Sequence, residues 1–306
     1  MLFTILVLLA THLIVPVLLI ASLWIDRSKS QIELVLTVLS YGSYILFIFK
    51  AGNWSWTGYN LRYLFLLLFA VATIKYALPL FTLPHWIKSD LKQWLNLLVV
   101  GFVLAFFMTL NFNVFKAYFP SGSSISLSFP LKQGTYYVAH GGNSSLVNHH
   151  YENQAQRFAL DIVKLNGWGV RAKGLYPSEL NKYEIFDDEL YSPCNGEIIK
   201  ITDGLPDHIP PHRDGTNLAG NNVVIKADRY LVVLAHMKAN SMMVQEGESI
   251  EKGQLIGKVG NSGNTTEPHL HIHAVQGEVL ENVFKGIGVP IIFDNQSLVR
   301  NSLVKA

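Results

Sequence analysis

Histidines are concentrated in one short segment of the chain, Glu267-Pro-His-Leu-His-Ile-His273. Side chains alternate between the two faces of a β-strand, so His269, His271 and His273 would project from the same face. Imidazoles held together on a rigid strand can share a metal ion, or one can bind the ion while its neighbour transfers protons. The alternative is that these histidines only line a half-exposed face of a sheet.

Three further features favour a metal site. Asp161 closes the apolar run Phe158-Ala-Leu-Asp, where a carboxylate is costly unless it is paired or bound to a metal. His236 ends another apolar run, and the pair His149-His150 precedes Asp161 by eleven or twelve residues. Three His and Asp ligands with one open position are typical of catalytic zinc, and two remaining histidines would supply the acid and base that hydrolysis needs.

The segments that carry these residues predict a β-rich domain. Past residue 117, short β-branched or alternating runs are separated by Gly, Asn and Pro, and closely spaced strands of this kind are typical of a sandwich or barrel. Within Val244–Gly263 a Gly-x-x-Ile-x-Lys-Gly pattern is nearly repeated. Two long segments, Asn166–Leu190 and Asp203–Gly220, interrupt this rhythm, and each is expected to be a binding loop or a disordered insertion.

The first 116 residues have a different composition. They carry eight Lys or Arg and three Asp or Glu, whereas residues 117–306 carry sixteen and nineteen. Four apolar stretches, each close to the roughly 20 residues needed to cross a bilayer, cover about 2–24, 31–49, 61–81 and 94–115. The first lacks a basic start and a cleavage site, so we interpret it as a retained span rather than a signal peptide. We therefore predict a transmembrane helical region over 1–116 and a soluble domain over 117–306.

The overall composition limits the classes of function. Half of the residues are hydrophobic and only 15% are charged, which excludes a disordered chain and a single ordinary soluble domain. The formal net charge of +2 is too small to indicate a nucleic-acid partner, and we expect none. A single cysteine excludes an intramolecular disulfide and any site built from several cysteines.

Four spans would place both termini on the same side of the membrane. The connections after the first and third spans hold Arg27, Lys29, Lys88 and Lys92, against Lys50, Arg62 and Lys116 on the other side. The positive-inside rule then favours an outward-facing C-terminal domain by a narrow margin.

Two ionisable residues lie within apolar spans. We interpret His12 as bonded inside the bundle and Lys75 as snorkelling to the interface.

Seven motifs of the C-terminal part follow one another in a characteristic order. They are Asp161-Ile, Ser192-Pro-Cys-Asn-Gly-Glu, Asn221-Asn-Val-Val-Ile, Leu234-Ala-His, Val244–Gly260, Gly260-Asn-Ser-Gly-Asn and Pro268-His-Leu-His. This order resembles the lysostaphin/LytM-type zinc endopeptidases, which cut peptide crosslinks of bacterial peptidoglycan. The resemblance covers roughly residues 134–277, and its last two motifs are the most specific.

The resemblance implies a zinc ion, peptidoglycan peptide as the substrate, and an all-β peptidase domain of duplicated hybrid or barrel-sandwich type. By position, Asp161 and His271 correspond to zinc ligands. His236 and His269 correspond to the base and the residue that stabilises the transition state, and which is which stays open. The family's first ligand, a histidine four residues before the aspartate, is replaced here by Arg157, which stays protonated and cannot bind zinc.

Two interpretations follow from this departure. In the first, His150 or His149 supplies the missing ligand, and resemblance in spacing favours His150. In the second, the site is degenerate, and the domain binds the cell wall or activates another hydrolase without cutting. We predict the first: a zinc metalloendopeptidase that crosses a bacterial cytoplasmic membrane several times, with its catalytic domain facing the periplasm or cell exterior.

His273 is expected to lie behind the ligands. Three histidines in loop-like context are expected to be solvated: His140, His208 and His212.

Overall fold

The computed structural model describes residues 2–86, 91–120, 122–277, 280 and 282–306. Contacts between Cα atoms divide the chain into two units, Met1–Phe115 and Lys116–Ala306. The first unit is helical, and the second is built mainly from β-strands.

Long apolar helices make up the first unit. Helix α1 (Leu2–Leu9) continues through a π-helical turn (Ala10–Ile14) into α2 (Val15–Ile25), and these are followed by α3 (Gln31–Ala51), α4 (Leu61–Ala77) and α5 (Leu91–Lys116). Four segments of the described chain are long and apolar enough to cross a membrane: Phe3–Ile25, Gln31–Ala51, Leu61–Thr82 and Gln93–Lys116. The prediction of about four apolar N-terminal helices is confirmed.

The two ionisable residues predicted within the spans both contact backbone carbonyls. His12 is buried in the π-helical turn, with Nδ1 3.1 Å from the Leu8 carbonyl oxygen, and its ring packs edge-on against Trp54. Lys75 Nζ donates to the Trp24 carbonyl at 2.5 Å. His12 Nδ1 and Lys75 Nζ are therefore both bonded to backbone carbonyls of this unit. Lys88, on which the orientation argument partly depends, lies outside the described residues.

The second unit is β-rich, as predicted. Its strands are β1 (Ile125–Leu127), β2 (Thr135–His140), β3 (Leu160–Leu165), β4 (Glu189–Tyr191), β5 (Gly196–Thr202), β6 (Asn221–Ala227), β7 (Tyr230–Met237), β8 (Ser249–Ile250), β9 (Leu255–Lys258), β10 (Leu270–Gln276), β11 (Ile287–Gly288), β12 (Ile291–Phe293), β13 (Gln296–Ser297) and β14 (Leu303–Lys305), with a short helix α6 (Asn282–Lys285). Among the described residues, the largest sheet runs β14-β2-β3-β10-β7-β6-β5-β8, with β11 added to β10. Smaller sheets are β1-β12-β13 and β4-β9.

Strand β10 shows how the large sheet separates the hydrophobic core from the polar residues. Leu270 and Ile272 are fully buried in the main core, whereas His271 and His273 alternate with them and project from the opposite face. Strand β3 follows the same pattern, since the residues flanking Asp161 belong to the core. Truncation of Ile272 to alanine would therefore cost about 2–5 kcal/mol of stability, and the core supplies a rigid base for the polar face.

The two segments that interrupt the strand pattern are bonded to the rest of this unit. Asn166–Leu190 contains a bridge between Ala172 and Tyr183, and its Asp187 N–H donates to the Val259 carbonyl at 2.9 Å. In Asp203–Gly220, the Asp207 carboxylate accepts the backbone N–H of Asn261 at 2.6 Å. Neither segment is a disordered insertion, and the second one packs against the Gly260-Asn-Ser-Gly-Asn motif.

Candidate active site

Strand register brings Asp161 and His271 together. In the antiparallel pairing of β3 with β10, His271 lies directly opposite Asp161. Because both side chains project from the face opposite the main core, Asp161 Oδ1 lies 2.9 Å from His271 Nδ1. On the other side of β3, His140 of β2 pairs with Asp161 beyond a bulge. Three consecutive strands of the sheet therefore contribute to one polar cluster.

His150 reaches the same carboxylate from the loop between β2 and β3. The buried side chain of Asn148 holds this loop, since its Nδ2 donates to the carbonyls of Gly142 (3.2 Å) and Arg157 (3.0 Å). Its Oδ1 accepts the backbone N–H of His150 at 3.0 Å. His150 Nε2 then lies 3.0 Å from each carboxylate oxygen of Asp161.

These three side chains offer donor atoms that suit a zinc ion. One ligand atom each from His150, Asp161 and His271 lies within 4.8 Å of the others. The nitrogen–oxygen separations of 2.9 and 3.0 Å approach the roughly 3.3 Å between the ligands of a tetrahedral ion whose bonds are near 2.0 Å. Two imidazoles and one carboxylate are a donor set typical of catalytic zinc sites, in which the fourth position stays open for water or substrate.

A second combination of ligands would use the same carboxylate. His140, His149 and Asp161 also have ligand atoms within 4.8 Å of one another, and His149 Nδ1 is 3.8 Å from Asp161 Oδ2. The surroundings oppose a cation there, because the guanidinium of Arg300 donates to His140 Nδ1 at 2.8 Å and adds a positive charge. The geometry therefore favours His150 over His149 as the partner of Asp161.

His236 and His269 flank this cluster with defined tautomers. Nδ1 of His236 donates to the Ser262 carbonyl at 2.8 Å, and Nδ1 of His269 donates to the Glu267 carbonyl at 2.9 Å. Each Nε2 therefore carries a lone pair. The two rings are 4.8 Å apart, and His269 Nε2 is 3.6 Å from Asp161 Oδ1. The arrangement places two potential proton acceptors beside the three candidate ligands.

The backbone around His236 is shaped to aim this side chain. His236 has a φ of 60°, a left-handed conformation that is uncommon for a residue other than glycine. The pairing of β6 with β7 also shifts register between Asn221 and Val223, where a bulge interrupts the ladder. Bulges near the end of a strand commonly redirect a side chain toward a functional site.

Burial and charge give these groups different protonation states. Burial would raise the pKa of Asp161, but the facing His150 and His269 hold this pKa well below its usual value. Burial would lower the pKa of His150, yet the Asp161 carboxylate raises it above 6.5. Burial lowers the pKa of His236 to about 3 and that of His271 to about 4. His236 is therefore a neutral base at physiological pH.

His273 lies directly behind His271. Its Nδ1 is 2.9 Å from His271 Nε2, and its own Nε2 is 3.5 Å from the Val283 carbonyl. Donation of both Nε2–H groups along this chain frees Nδ1 of His271 to act as a ligand.

Arg157, which occupies the family's first ligand position, is exposed, and its Nε donates to the Tyr151 carbonyl at 3.3 Å.

The expectation that His140 is solvated is wrong. His140 is the last residue of β2, and its ring packs 4.1 Å from that of His149. Burial, and then the charge of Arg300, hold the pKa of His140 well below 6.5. Arg300 is 160 residues away in the sequence, so a local pattern gives no sign of this contact. His212, by contrast, is exposed.

Sequence reasoning also missed a buried ion pair beside the cluster. Arg171 is only 2% exposed, and its Nη1 lies 2.5 Å from Glu267 Oε1. The two residues come from the first insertion and from the histidine-rich segment. Glu267, directly before Pro-His-Leu-His, was the only available signal, since buried carboxylates require partners.

A cleft with two compartments surrounds the clustered residues. One compartment, of about 760 Å³, is lined on the open face of the sheet by aliphatic side chains such as Val224, Val233 and Ala235. The other, of about 260 Å³, is polar and is lined by Arg171 and Arg213 among others. His149, His150, His236 and Asn264 line both compartments. The cluster therefore lies where an extended substrate would pass from one compartment to the other.

Comparison with known proteins identifies the type of domain. Residues 187–282 match the family model described as Peptidase family M23. That range contains His236, His269 and His271, whereas His150 and Asp161 precede it. The second unit therefore contains a Peptidase family M23 domain, and the resemblance found in the sequence is confirmed.

Individual relatives are similar over limited parts of the chain. A stretch of 58 residues, 19% of this chain, is 38% identical to the peptidoglycan DD-endopeptidase ShyA of Vibrio cholerae serotype O1, and it spans only 13% of that protein. A zinc-containing peptidase from Vibrio cholerae is 21% identical, with 39% of this chain and 27% of that chain covered and a TM-score of 0.25. The catalytic domain of lysostaphin from Staphylococcus simulans is 18% identical, with 38% and 84% covered and a TM-score of 0.24.

Proposed function

We propose that this protein is a membrane-anchored, zinc-dependent endopeptidase that hydrolyses peptide bonds of bacterial peptidoglycan. The observation that carries the proposal is the convergence of His150, Asp161 and His271, with two tautomer-defined histidines beside them. The match to Peptidase family M23 supports a peptidase. The relative described as a peptidoglycan DD-endopeptidase supports the substrate class.

In this proposal, His150 Nε2, an oxygen of Asp161 and His271 Nδ1 hold the zinc ion. A zinc ion at such a site supplies Lewis acidity toward the scissile carbonyl and lowers the pKa of a water molecule. Asp161 supplies the single negative charge among these ligands. His273 and the Val283 carbonyl orient the His271 ring.

His236 and His269 carry the proton transfers. Each donates its Nδ1–H to a backbone carbonyl, which leaves Nε2 free to accept a proton. The imidazolium formed in this way keeps its hydrogen bond to that carbonyl. One imidazole takes the proton of the attacking water and returns it to the leaving amine. The other, once its Nε2 has taken up a proton from solvent, donates a hydrogen bond to the oxygen of the attacked carbonyl and keeps that proton through the step. The hydroxyl ends on the carbonyl carbon, the proton ends on the amine, and the amide bond breaks.

Anchoring in the bacterial cytoplasmic membrane is supported by the four apolar helices. Four spans with the more basic connections in the cytoplasm would expose the peptidase domain to the periplasm or cell exterior. Peptidoglycan lies on that side of the membrane. The orientation and the substrate therefore agree with each other.

The first test is the metal content of the detergent-solubilised full-length protein and two matched variants. We expect about one zinc per chain in the wild type and in His149→Ala, and loss of the metal in His150→Ala. The metal-loaded wild type should then release peptides from purified peptidoglycan. A folded wild type without zinc would leave the alternative of an inactive domain that binds the cell wall or activates another hydrolase.

A further inference from the structure

The cleft is chemically asymmetric about His150, Asp161 and His271. Its larger compartment presents aliphatic side chains where it crosses β6 and β7, and Lys200, which also lines it, forms an ion pair with Glu246 at 3.3 Å. The compartment of about 260 Å³ is lined instead by two guanidinium groups, those of Arg171 and Arg213, and by the carboxylates of Glu267 and Asp161. A substrate that lies across the cluster would therefore meet very different surroundings on the two sides of the bond to be cut.

Ion pairing leaves one guanidinium group of the smaller compartment, that of Arg213, without a carboxylate partner among the described residues. Arg171 is buried and forms an ion pair with Glu267 at 2.5 Å, so these two charges compensate each other. Arg213 is exposed, and it forms no ion pair within the described part of the chain. A divalent zinc ion held by Asp161 would more than offset the single negative charge of that carboxylate. An anionic group is the complement of such a compartment.

The position of Arg213 is set by hydrogen bonds on either side of it. His208 N–H donates to the Asn261 carbonyl at 3.0 Å, and Asp214 N–H donates to the Gly263 carbonyl at 2.8 Å. The same Gly260-Asn-Ser-Gly-Asn motif carries the Ser262 carbonyl that orients His236. The insertion that contains Arg213 is therefore hydrogen-bonded to the same motif that orients His236.

We propose that the smaller compartment is a carboxylate-binding subsite, in which Arg213 binds a free carboxylate of the residue next to the scissile amide. Its guanidinium can hold both carboxylate oxygens, a geometry that a lysine ammonium does not match. At 260 Å³, the compartment is smaller than the roughly 300–1,000 Å³ of most ligand pockets and suits a single residue. The proposal rests on the proposed peptidase function and specifies its substrate.

The chemistry of an amide decides which residue carries this carboxylate. The residue that supplies the carbonyl has its α-carboxyl group in the scissile bond. A free α-carboxylate next to that bond therefore belongs to the residue that supplies the amine. The aliphatic compartment then receives the uncharged residue on the carbonyl side.

Two synthetic peptides test the subsite on the zinc-loaded full-length protein. They differ only at the amine-side residue, whose α-carboxyl is free in one and amidated in the other. We expect the wild type to bind and cut the free acid more efficiently. In Arg213→Gln, kcat/KM for the acid should fall about 10- to 100-fold, while the amidated peptide is processed as by the wild type. Arg213→Lys should recover part of the preference.

The control is Arg229→Gln, which removes an exposed arginine at the turn between β6 and β7 and should leave both peptides unaffected. Fluorescence anisotropy measures binding of the same peptides independently of cleavage. A wild type that binds both peptides equally, or an Arg213→Gln variant that loses both equally, would overturn the subsite. Preferential binding of the acid without cleavage of either peptide would retain the subsite and contradict the peptidase function.

Discussion

The protonation of single residues decides when this cluster can accept a metal. Asp161 keeps its charge far into the acid range, because the facing histidines hold its pKa well below the usual value. His271 is neutral above a pKa of about 4. His150 is the exception, since the Asp161 carboxylate raises its pKa above 6.5. Metal binding therefore competes with a proton mainly at His150.

A pH dependence of zinc affinity follows at this scale. Zinc requires the neutral imidazole, so the apparent affinity should be highest above the raised pKa of His150 and should fall as the pH decreases through it. Below that pKa the loss should be about tenfold per pH unit, because one proton is displaced. Competition with a chromophoric chelator between about pH 8 and pH 5.5 measures this slope. His149→Ala should give the same slope, and a flat profile would contradict the assignment of His150.

At the scale of elements, the orientation of the His236 side chain at the end of β7 depends on close packing between the backbones at Gly220 and Ser262. A Cβ atom at Gly220 would lie 2.2 Å from the Ser262 carbonyl oxygen, and Gly220 has a φ of +58°. That carbonyl accepts the Nδ1–H of His236. A side chain at Gly220 would therefore displace the group that fixes the tautomer of a candidate catalytic residue.

Gly220→Ala is expected to reduce both stability and activity. The strained conformation and the displaced backbone should cost about 1–3 kcal/mol, seen as a fall of several degrees in the thermal midpoint of the solubilised protein. Gly215→Ala is the matched control in the same insertion, because its Cβ would meet open space. The control should change stability by less than about 0.5 kcal/mol. Full peptidase activity in Gly220→Ala would show that this carbonyl is not needed for catalysis.

At the scale of the whole molecule, the number of membrane crossings determines which compartment the peptidase domain enters. If all four candidate spans of the described residues cross the bilayer, the residues before the first span and the C-terminal domain are on the same side. The connection after the first span carries Arg27 and Lys29, which favour the cytoplasm. The C-terminal domain is then expected outside.

Reporter fusions in bacteria test this topology. A reporter that is active only outside the cytoplasm should be active when fused after Ala306 and inactive when fused after Ser28, behind the first span. A reporter active only in the cytoplasm should give the opposite pattern. Cytoplasmic activity after Ala306 would remove access to peptidoglycan and would contradict the proposed substrate.

The sequence was enough to predict both parts of the chain. Four apolar stretches had the length of a bilayer-crossing helix, and short alternating runs had the period of a β-strand. The same local alternation indicated that His271 and His273 share a face of β10, and His269 directly precedes this strand. The Gly-Asn-Ser-Gly-Asn and Pro-His-Leu-His motifs were enough to indicate the family. All of these features depend on residues that are near one another in the chain.

The tertiary structure alone decided the contacts that close the site. Asn148 determines that His150 rather than His149 approaches both oxygens of Asp161. The ion pair of Arg171 with Glu267 depends on a loop that follows a different strand. These contacts join segments far apart in sequence, and their energies depend on distance and burial, which no periodicity of a single segment records.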